Sequence, residues 1–333
     1  MDINKYISEY FHKTKKILET KNPDNIITLQ FFQRRDNAML AGMEEALDFL
    51  EKHTDTSKYK IRYLKDGTIM SKMEVALELT GRYQAFGIYE GIIDGILTRS
   101  TSIATNAYEC VKAANGKEII FMGDRADHYL MQVIDGKAVS VAGVSAMSTD
   151  AQNVNPSSTS FGSVPHILIQ NFAGNTAEAM AAYANVWPED QIISLVDYHN
   201  NVIEQSLESF RKLGNRLYGV RVDTSKNMKD KMFNNEADNK EYYGVNIEMI
   251  KRLREALDNA GGKDVKIIVS SGFSAEKIRK FEEANTPVDS YGVGQAMFKF
   301  ECFFSADAVL LNGKNEAKDG RMYRPNSKLI DYN

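Results

Sequence analysis

At 333 residues, the chain is long enough for about two domains and a real hydrophobic core. Its 43% hydrophobic and 26% charged residues, with six prolines and two cysteines, fit a compact globular protein and exclude a disordered, linker-rich or disulfide-stapled chain. With 41 Lys and Arg against 45 Asp and Glu, the net charge of -4 offers no general attraction to nucleic acid or an anionic membrane. The charges are unevenly spread: residues 138–187 contain only Asp150 and Glu178, where average composition predicts about thirteen. The uncharged run 151–177 is rich in Asn, Ser, Gln, Pro and Gly, which a lipid-facing helix would not tolerate, so this window is expected to be buried or to line a cavity.

In chain order, the N-terminus MDINKYISEYFHKTKK is charged throughout and has no apolar h-region, so no secretory signal is expected. A polar helix is predicted near residues 3–19, and a second over about 37–51, where Leu40, Met43, Leu47 and Leu50 recur at helical spacing. The alternating stretch KIRYLKDGTIM reads as strands. A helix with Ile103, Ala107, Cys110 and Val111 on one face then runs up to Asn115-Gly116, a stop signal. Cys110 and Cys302 lie far apart, which fits core positions in a reducing cytoplasm and no zinc site.

After Gly116 short apolar strands alternate with helices. Strands are predicted at 118–122, 158–163, 191–196, 217–222, 265–270 and 288–293, with a further one near Val139 to Val144. Helices are predicted at 177–186, 202–213, 247–260 and 275–284. That alternation argues for a parallel sheet, and its strand number favours a barrel over an open sheet. The division expected is an α+β domain over 1–115, rejoined by the tail 303–333, and an α/β barrel over 116–302.

In a parallel barrel, the active site is built at the C-terminal strand ends. There the chain carries Asp124 and Arg125, Ser163 and His166, Asp197, Arg221 and Asp223, Ser270 to Gly272, and Gly292 with Gly294. Singly, each has an ordinary structural explanation as a cap, a turn or a surface pair. Together they converge on one rim. The Gly/Ser-rich ends SSGFSAEKI and YGVGQAM suit a phosphate approached by backbone N–H groups. Asp197 is positioned in sequence to orient His166. Arg125 and Arg221 are cations suited to carboxylate or phosphate, and Asp223 shares a strand face with Arg221. The ligand these parts suggest is a phosphorylated sugar with a second anionic group.

The motifs YEGIIDGILTRSTSIATNA (89–107), GSVPHILI (162–169), LVDYHN (195–200), GVRVDTS (219–225), IIVSSGFSAEKI (267–278), VDSYGVGQ (288–295) and DGRMYRPN (319–326), together with the Arg125 loop, resemble in order those of the nicotinate phosphoribosyltransferase family, in its shorter branch. The likeness covers roughly residues 25–330. It implies an irregular α/β barrel of the type II phosphoribosyltransferase kind, packed with an N-terminal α+β domain. It also implies transfer of phosphoribosyl from phosphoribosyl pyrophosphate to nicotinate, giving nicotinate mononucleotide and pyrophosphate in NAD biosynthesis. ATP as co-substrate, Mg2+ carried on the pyrophosphate, and a dimer or dimer-based oligomer with shared sites belong to the same expectation.

Carried over by motif, His166 is the phosphorylated histidine and Asp197 its support. Arg221 would bind the base carboxylate, and Asp223 the ribose or the magnesium-bound substrate. Ser271, Gly272, Gly292 and Gly294 would cradle the 5′-phosphate, and Arg125 would stand at the base and phosphate junction. In TLQFFQRRD, Phe31 is expected to stack on the base, with Arg34 and Arg35 near phosphate. The chain departs from the family pattern at Asp223-Thr224-Ser225-Lys226, where longer members have Asp-Ser-Gly-Asp, and at Met122, where relatives place an aromatic. Its loop VAGVSAMSTDAQ also has no clear match to the acidic residue by which nicotinamide-specific relatives bind an amide. The alternatives are a decarboxylating quinolinate phosphoribosyltransferase and a non-catalytic relative that binds a phosphorylated metabolite.

Overall fold

The computed structural model describes residues 2–154 and 162–332, and the chain separates into two compact units. The first comprises Met1–Tyr108, Ala138–Ala142 and Phe298–Asn333. The second comprises Glu109–Lys137 and Gly143–Met297. Among the described residues, no helix is long and apolar enough to cross a membrane.

The first unit is built on an antiparallel sheet whose central strand, Ile26–Phe32, pairs with Ser305–Leu311 on one side and Val75–Arg82 on the other. Leu29 lies opposite Leu79 and Phe31 opposite Leu77, while Gln30 faces Glu78 and Thr28 faces Thr80. Alternation therefore gives the sheet an apolar face and a polar one. The apolar face forms the core with Ala46, Leu47 and Leu50 from the helix Met43–His53, and with Ile93 and Leu97 from the helix Glu90–Ala113. On the polar face, buried Gln30 donates to Glu78 at 2.7 Å.

Two helix expectations need correction here. The first helix runs Glu9–Lys21, after a separate 3-10 turn at Ile3–Tyr6, because the extended backbone at Ser8 breaks the stretch. The helix expected from residue 37 begins at Met43. Ala38–Met39 instead pairs with Ile69–Met70, and Asp66 Oδ1 accepts from Met43 N at 2.8 Å, doing the work of an N-cap from a distant loop.

The second unit holds a six-stranded parallel sheet in the order Ala146–Met147, Glu118–Phe121, Ser290–Val293, Lys266–Val269, Leu217–Val222 and Ile192–Leu195. Ile120 and Ile193 sit on strands four positions apart in this order, so a flat sheet would hold them about 19 Å apart. They pack with Ile268 in one apolar cluster, which requires the sheet to curl like a barrel wall. Helices Thr176–Val186, Val202–Leu213, Ile247–Asn259 and Ala275–Glu283 alternate with the strands. Asn175, Asn246 and Ser274 cap three of these starts with their side chains, and at the fourth Val202 N donates to Asp230 Oδ2 at 2.9 Å.

The strand expected near Val139 to Val144 is a correction: the helix Gln132–Val141 covers its first half, and the strand comes later, at Ala146–Met147. Val139 and Ala138 are buried on that helix, so their apolar character reflects a helix face. The strand expected at 158–163 falls mostly outside the described residues. Cys110 and Cys302 are both buried free thiols, and burial pushes Cys110 up to about 12.

Candidate active site

Register and alternation place five sets of residues on the inner face of the curled sheet. Ile120 pairs with Gly292, Ser290 with Ile268, Ile268 with Arg221, and Arg221 with Leu195. Two residues farther along each strand, on the same side, come Met122, Gly294, Ser270, Asp223 and Asp197. Apolar side chains thus fill the interior, and polar ones appear together where the strands end.

Arg221 is the centre of this group. Its Nε donates to Ser163 Oγ at 3.1 Å, Nη1 to Ser270 Oγ at 3.2 Å and Nη2 to the Val164 carbonyl at 3.3 Å. Asp223 Oδ2 lies 3.4 Å from Nη1, and Ser270 Oγ donates to Asp223 Oδ1 at 2.6 Å. With 13% of its side chain exposed, the guanidinium is held by all three nitrogens and cannot swing. Arg221 thereby offers a fixed positive field and its remaining N–H capacity.

His166 opens the helix His166–Asn171 behind Pro165, and its Nε2 lies 3.2 Å from Asp197 Oδ1. The carboxylate is 6% exposed and the imidazole 45%, so an almost buried anion holds one edge of a ring whose other edge meets solvent. The hydrogen bond to Asp197 raises the affinity of His166 for a proton above its ordinary value, against partial burial and the more distant Arg221. With Nε2 donating to Asp197, Nδ1 keeps the lone pair and is the nucleophilic or proton-accepting atom.

The loop after Lys266–Val269 contains two successive residues with positive φ, Ser271 at 72° and Gly272 at 70°. Gly272 is exposed and opens onto free space, as an anion loop requires. Gly292 and Gly294 answer to a different demand. A Cβ on Gly292 would meet Met122 Sδ at 2.7 Å, and one on Gly294 would meet the Met122 carbonyl oxygen at 2.5 Å. Gly294 is required by the close approach of the Met122 main chain, whose N–H donates to the Val293 carbonyl at 2.8 Å, while Gly292 leaves room for the movable end of the Met122 side chain.

Arg125 is exposed on the turn that follows Glu118–Phe121 and makes none of the hydrogen bonds around Arg221. Its neighbour Asp124 accepts from Ser148 at 3.3 Å, tying that turn to the next strand end. In the other unit, Phe31 is fully buried within the sheet core, so its ring is not available to stack on a base, which corrects the expectation. On the opposite face of the same strand, the Arg34 and Arg324 guanidiniums lie 5.3 and 4.8 Å from the Phe32 ring centroid. Arg34 also donates to Ser305 Oγ at 3.0 Å, and Arg35 pairs with Glu301 at 2.9 Å. Sequence reasoning missed the Arg324–Phe32 contact, for which strand alternation between Phe31 and Phe32 is the available signal. It also missed the Val164 carbonyl, because a main-chain acceptor carries no residue signature.

Residues 10–101 match the family described as quinolinate phosphoribosyl transferase, N-terminal domain. The chain is similar to nicotinate phosphoribosyltransferase pncB2 of Mycobacterium tuberculosis, with 24% identity over 336 residues, covering 89% of this chain and 67% of that protein. Among solved structures, nicotinate-nucleotide pyrophosphorylase from Pyrococcus furiosus aligns with a TM-score of 0.82 and 28% identity, over 96% of this chain and 78% of that one. Human nicotinic acid phosphoribosyltransferase aligns with a TM-score of 0.70 and 15% identity, over 93% and 76% of the two chains, a likeness of fold. The curled α/β barrel with an α+β N-terminal unit is the architecture the motifs led one to expect.

Proposed function

We propose, from the likeness to nicotinate phosphoribosyltransferases, that the chain transfers the phosphoribosyl group of phosphoribosyl pyrophosphate to the ring nitrogen of nicotinate. The products are nicotinate mononucleotide and pyrophosphate. The observation that carries this reading is the Arg221–Ser270–Asp223 group beside the His166–Asp197 pair at one set of strand ends. A fixed cation next to an oxygen-rich acceptor set matches an anionic base on one side and a sugar diphosphate on the other.

In this proposal Arg221 holds the base carboxylate by charge, and Asp223 accepts from the ribose hydroxyls. The nucleophile is the ring nitrogen, and the bond broken is that between the anomeric carbon and pyrophosphate. The transition state is oxocarbenium-like, so positioning and charge stabilisation carry the catalysis. Ser271 and Gly272 offer the loop for the 5′-phosphate. Magnesium would arrive on the pyrophosphate and neutralise the leaving group, since among the described residues no group of three or more His, Cys, Asp or Glu side chains is placed to hold a metal ion. His166 Nδ1 would take the γ-phosphoryl of ATP as the bond between the β- and γ-phosphates breaks and ADP leaves, with Asp197 holding Nε2 and stabilising the charged ring, and water would later release the phosphate from the ring. Two buried free thiols agree with a reducing, cytoplasmic setting, and a dimer or dimer-based oligomer remains part of the proposal.

Quinolinate is the second acceptor to consider, since the family matched over residues 10–101 carries its name. A dicarboxylate calls for a second fixed cation, and Arg221 is the arginine anchored within the strand-end group, which favours a monocarboxylate. The test incubates the protein with phosphoribosyl pyrophosphate, magnesium and a panel of pyridine bases, with and without ATP, and measures pyrophosphate. Nicotinate-dependent release stimulated by ATP is the expected result. Carbon dioxide release from quinolinate selects the second acceptor, and no product from any base overturns the enzyme reading in favour of a ligand-binding relative.

A further inference from the structure

His166 is carried by a helix with little of its own to hold it. The helix His166–Asn171 is six residues long, and its buried side chain is Ile169. So short a helix does not persist alone in water, and an element with so little apolar burial opens easily. At its start, His166 Nε2 meets Asp197 Oδ1 at 3.2 Å. Past its end, the chain turns through Ala173 at φ 51° and Gly174 at φ 84°, where the Gly174 N–H donates to the Ile169 carbonyl at 3.0 Å. The Gly174 carbonyl in turn accepts from His199 Nε2 at 3.1 Å. A carbonyl only accepts, so this contact fixes the His199 proton on Nε2. The imidazole lies so close over the turn that a Cβ on Gly174 would come within 2.8 Å of Nε2.

Both contacts come from one short loop. Asp197 and His199 are two residues apart in a turn closed by the Asn200 N–H, which donates to the Asp197 carbonyl at 3.0 Å. The His199 main chain is held as well: its N–H donates to Gln205 Oε1 at 3.0 Å, and the buried Gln205 amide donates to Thr176 Oγ1 at 2.6 Å. Thr176 begins the next helix, Thr176–Val186. A single contact at Asp197 would let the His166 helix pivot about its start. A second contact at Gly174, from the same braced loop, removes that freedom.

We infer that His199 is a positioning residue for the reacting histidine: it clamps the far end of the helix while Asp197 holds the near end, so that His166 presents Nδ1 in one orientation. This rests on the phosphohistidine step proposed above and adds the residue that aims the ring. His199 touches no reacting atom and acts through the Gly174 carbonyl. A reacting side chain must be held within about 0.5 Å of its productive geometry, and losing that hold slows the step without removing any reacting group.

The test compares wild type with His199→Gln, His199→Asn and His199→Ala. A Gln amide reaches as far as imidazole Nε2 and can donate to Gly174; an Asn amide is one methylene too short, and Ala donates nothing. The first readout is the titration of His166, followed by its ring proton resonances with no substrate present. The ring also faces Asp223, Arg221 and Tyr198, none of which the variants alter. His199→Ala and His199→Asn should bring this titration down toward the ordinary histidine value, and His199→Gln should keep the wild-type one. The second readout is the rate of acid-labile phosphate incorporation from γ-labelled ATP, which should fall about ten-fold in the Ala and Asn variants and about two-fold or less in the Gln variant. Thermal midpoints check folding, and the Asn and Gln pair carries the comparison should the Ala variant not fold. Folded Ala or Asn variants with wild-type titration and phosphorylation overturn the role of His199, and so does a folded Gln variant that fails alongside them. A wild type that takes no phosphate from ATP while the His166 titrations shift as expected overturns the phosphohistidine step and not the clamp.

Discussion

Arg221 and Asp223, two residues apart on one strand, are joined both directly and through a third side chain. Arg221 Nη1 lies 3.4 Å from Asp223 Oδ2, and Ser270 Oγ accepts from Nη1 while donating to Asp223 Oδ1 at 2.6 Å. Two charges are thereby fixed in orientation before any substrate arrives, which is the preorganisation that charge-stabilised transfer needs. Arg221→Ala should raise KM for nicotinate and lower kcat/KM by about a hundred-fold, the scale of losing one hydrogen-bonded charge contact. Arg221→Lys should rescue little, because a single ammonium cannot meet Ser163, Ser270 and Val164 together. Steady-state kinetics against nicotinate at saturating phosphoribosyl pyrophosphate checks both.

The His166–Asp197 pair makes a pH statement. The folded-state affinity of His166 for protons is raised, first by its hydrogen bond to Asp197. A histidine of this kind contributes stability that is fully present below its unfolded value, about 6.5, and is lost as pH rises through the raised folded value. Asp197→Asn should bring the His166 titration, followed by its ring proton resonances, down toward the ordinary value. The same variant should lose ATP stimulation and phosphohistidine while basal transfer persists. Unchanged titration would show that Asp197 does not set the state of the ring.

Gly292 and Gly294 both border Met122, yet they face different atoms. A Cβ at Gly292 meets the mobile end of the thioether, whereas one at Gly294 meets a main-chain carbonyl oxygen at 2.5 Å. Gly292→Ala should therefore cost about 1 kcal/mol, since the thioether can swing aside, and Gly294→Ala about 3 kcal/mol or more, since the strand end must move. Combining Gly292→Ala with Met122→Ala should recover part of the first loss, and denaturant unfolding of the wild type, the two single variants and the double variant measures the coupling.

In the first unit, burial pushes Glu90 and Asp94 up to about 7, with repulsion from Asp94 and Asp307 adding to the effect on Glu90 and Arg34 acting in the opposite sense on Asp94. Asp94 Oδ1 is buried without a hydrogen-bond partner. Because these folded carboxyls bind protons more tightly than unfolded ones, stability should fall as pH rises from about 4 to about 7. Asp94→Asn should raise stability at pH 8 by about 1 to 2 kcal/mol and flatten this slope, leaving stability at pH 4 nearly unchanged. Thermal or urea unfolding across that range checks the sign.

The strands around Ile120, Ile193 and Ile268 were legible because uninterrupted apolar runs bounded by polar residues have few other uses. The start of the helix at Met43 was not, since its capping carboxylate comes from Asp66, distant in sequence. The stretch from Val139 to Val144 misled because a short apolar run reads alike as strand or buried helix, and the choice fell to how Ala138 and Val139 pack. Phe31 misled for a related reason: alternation makes one of two adjacent aromatics face the core, and pairing with Leu77 selects which.

Residues 138–187, with their two charges, were anomalous from the outset. The sequence alone determined that so polar and uncharged a stretch could not cross a membrane, that His166 lies within it, and that Asp197 and Arg221 follow at strand ends. Local chemistry suffices for that much, because charge, turn propensity and apolar runs are properties of short segments. Tertiary structure decided that Val164 and Ser163 from this window grip Arg221, that Asp197 rather than another carboxylate meets His166, and that Met122 lies over Gly292. Those relationships depend on parallel register across a curled sheet, where strands distant in sequence are brought to the same level, and no local pattern encodes that level.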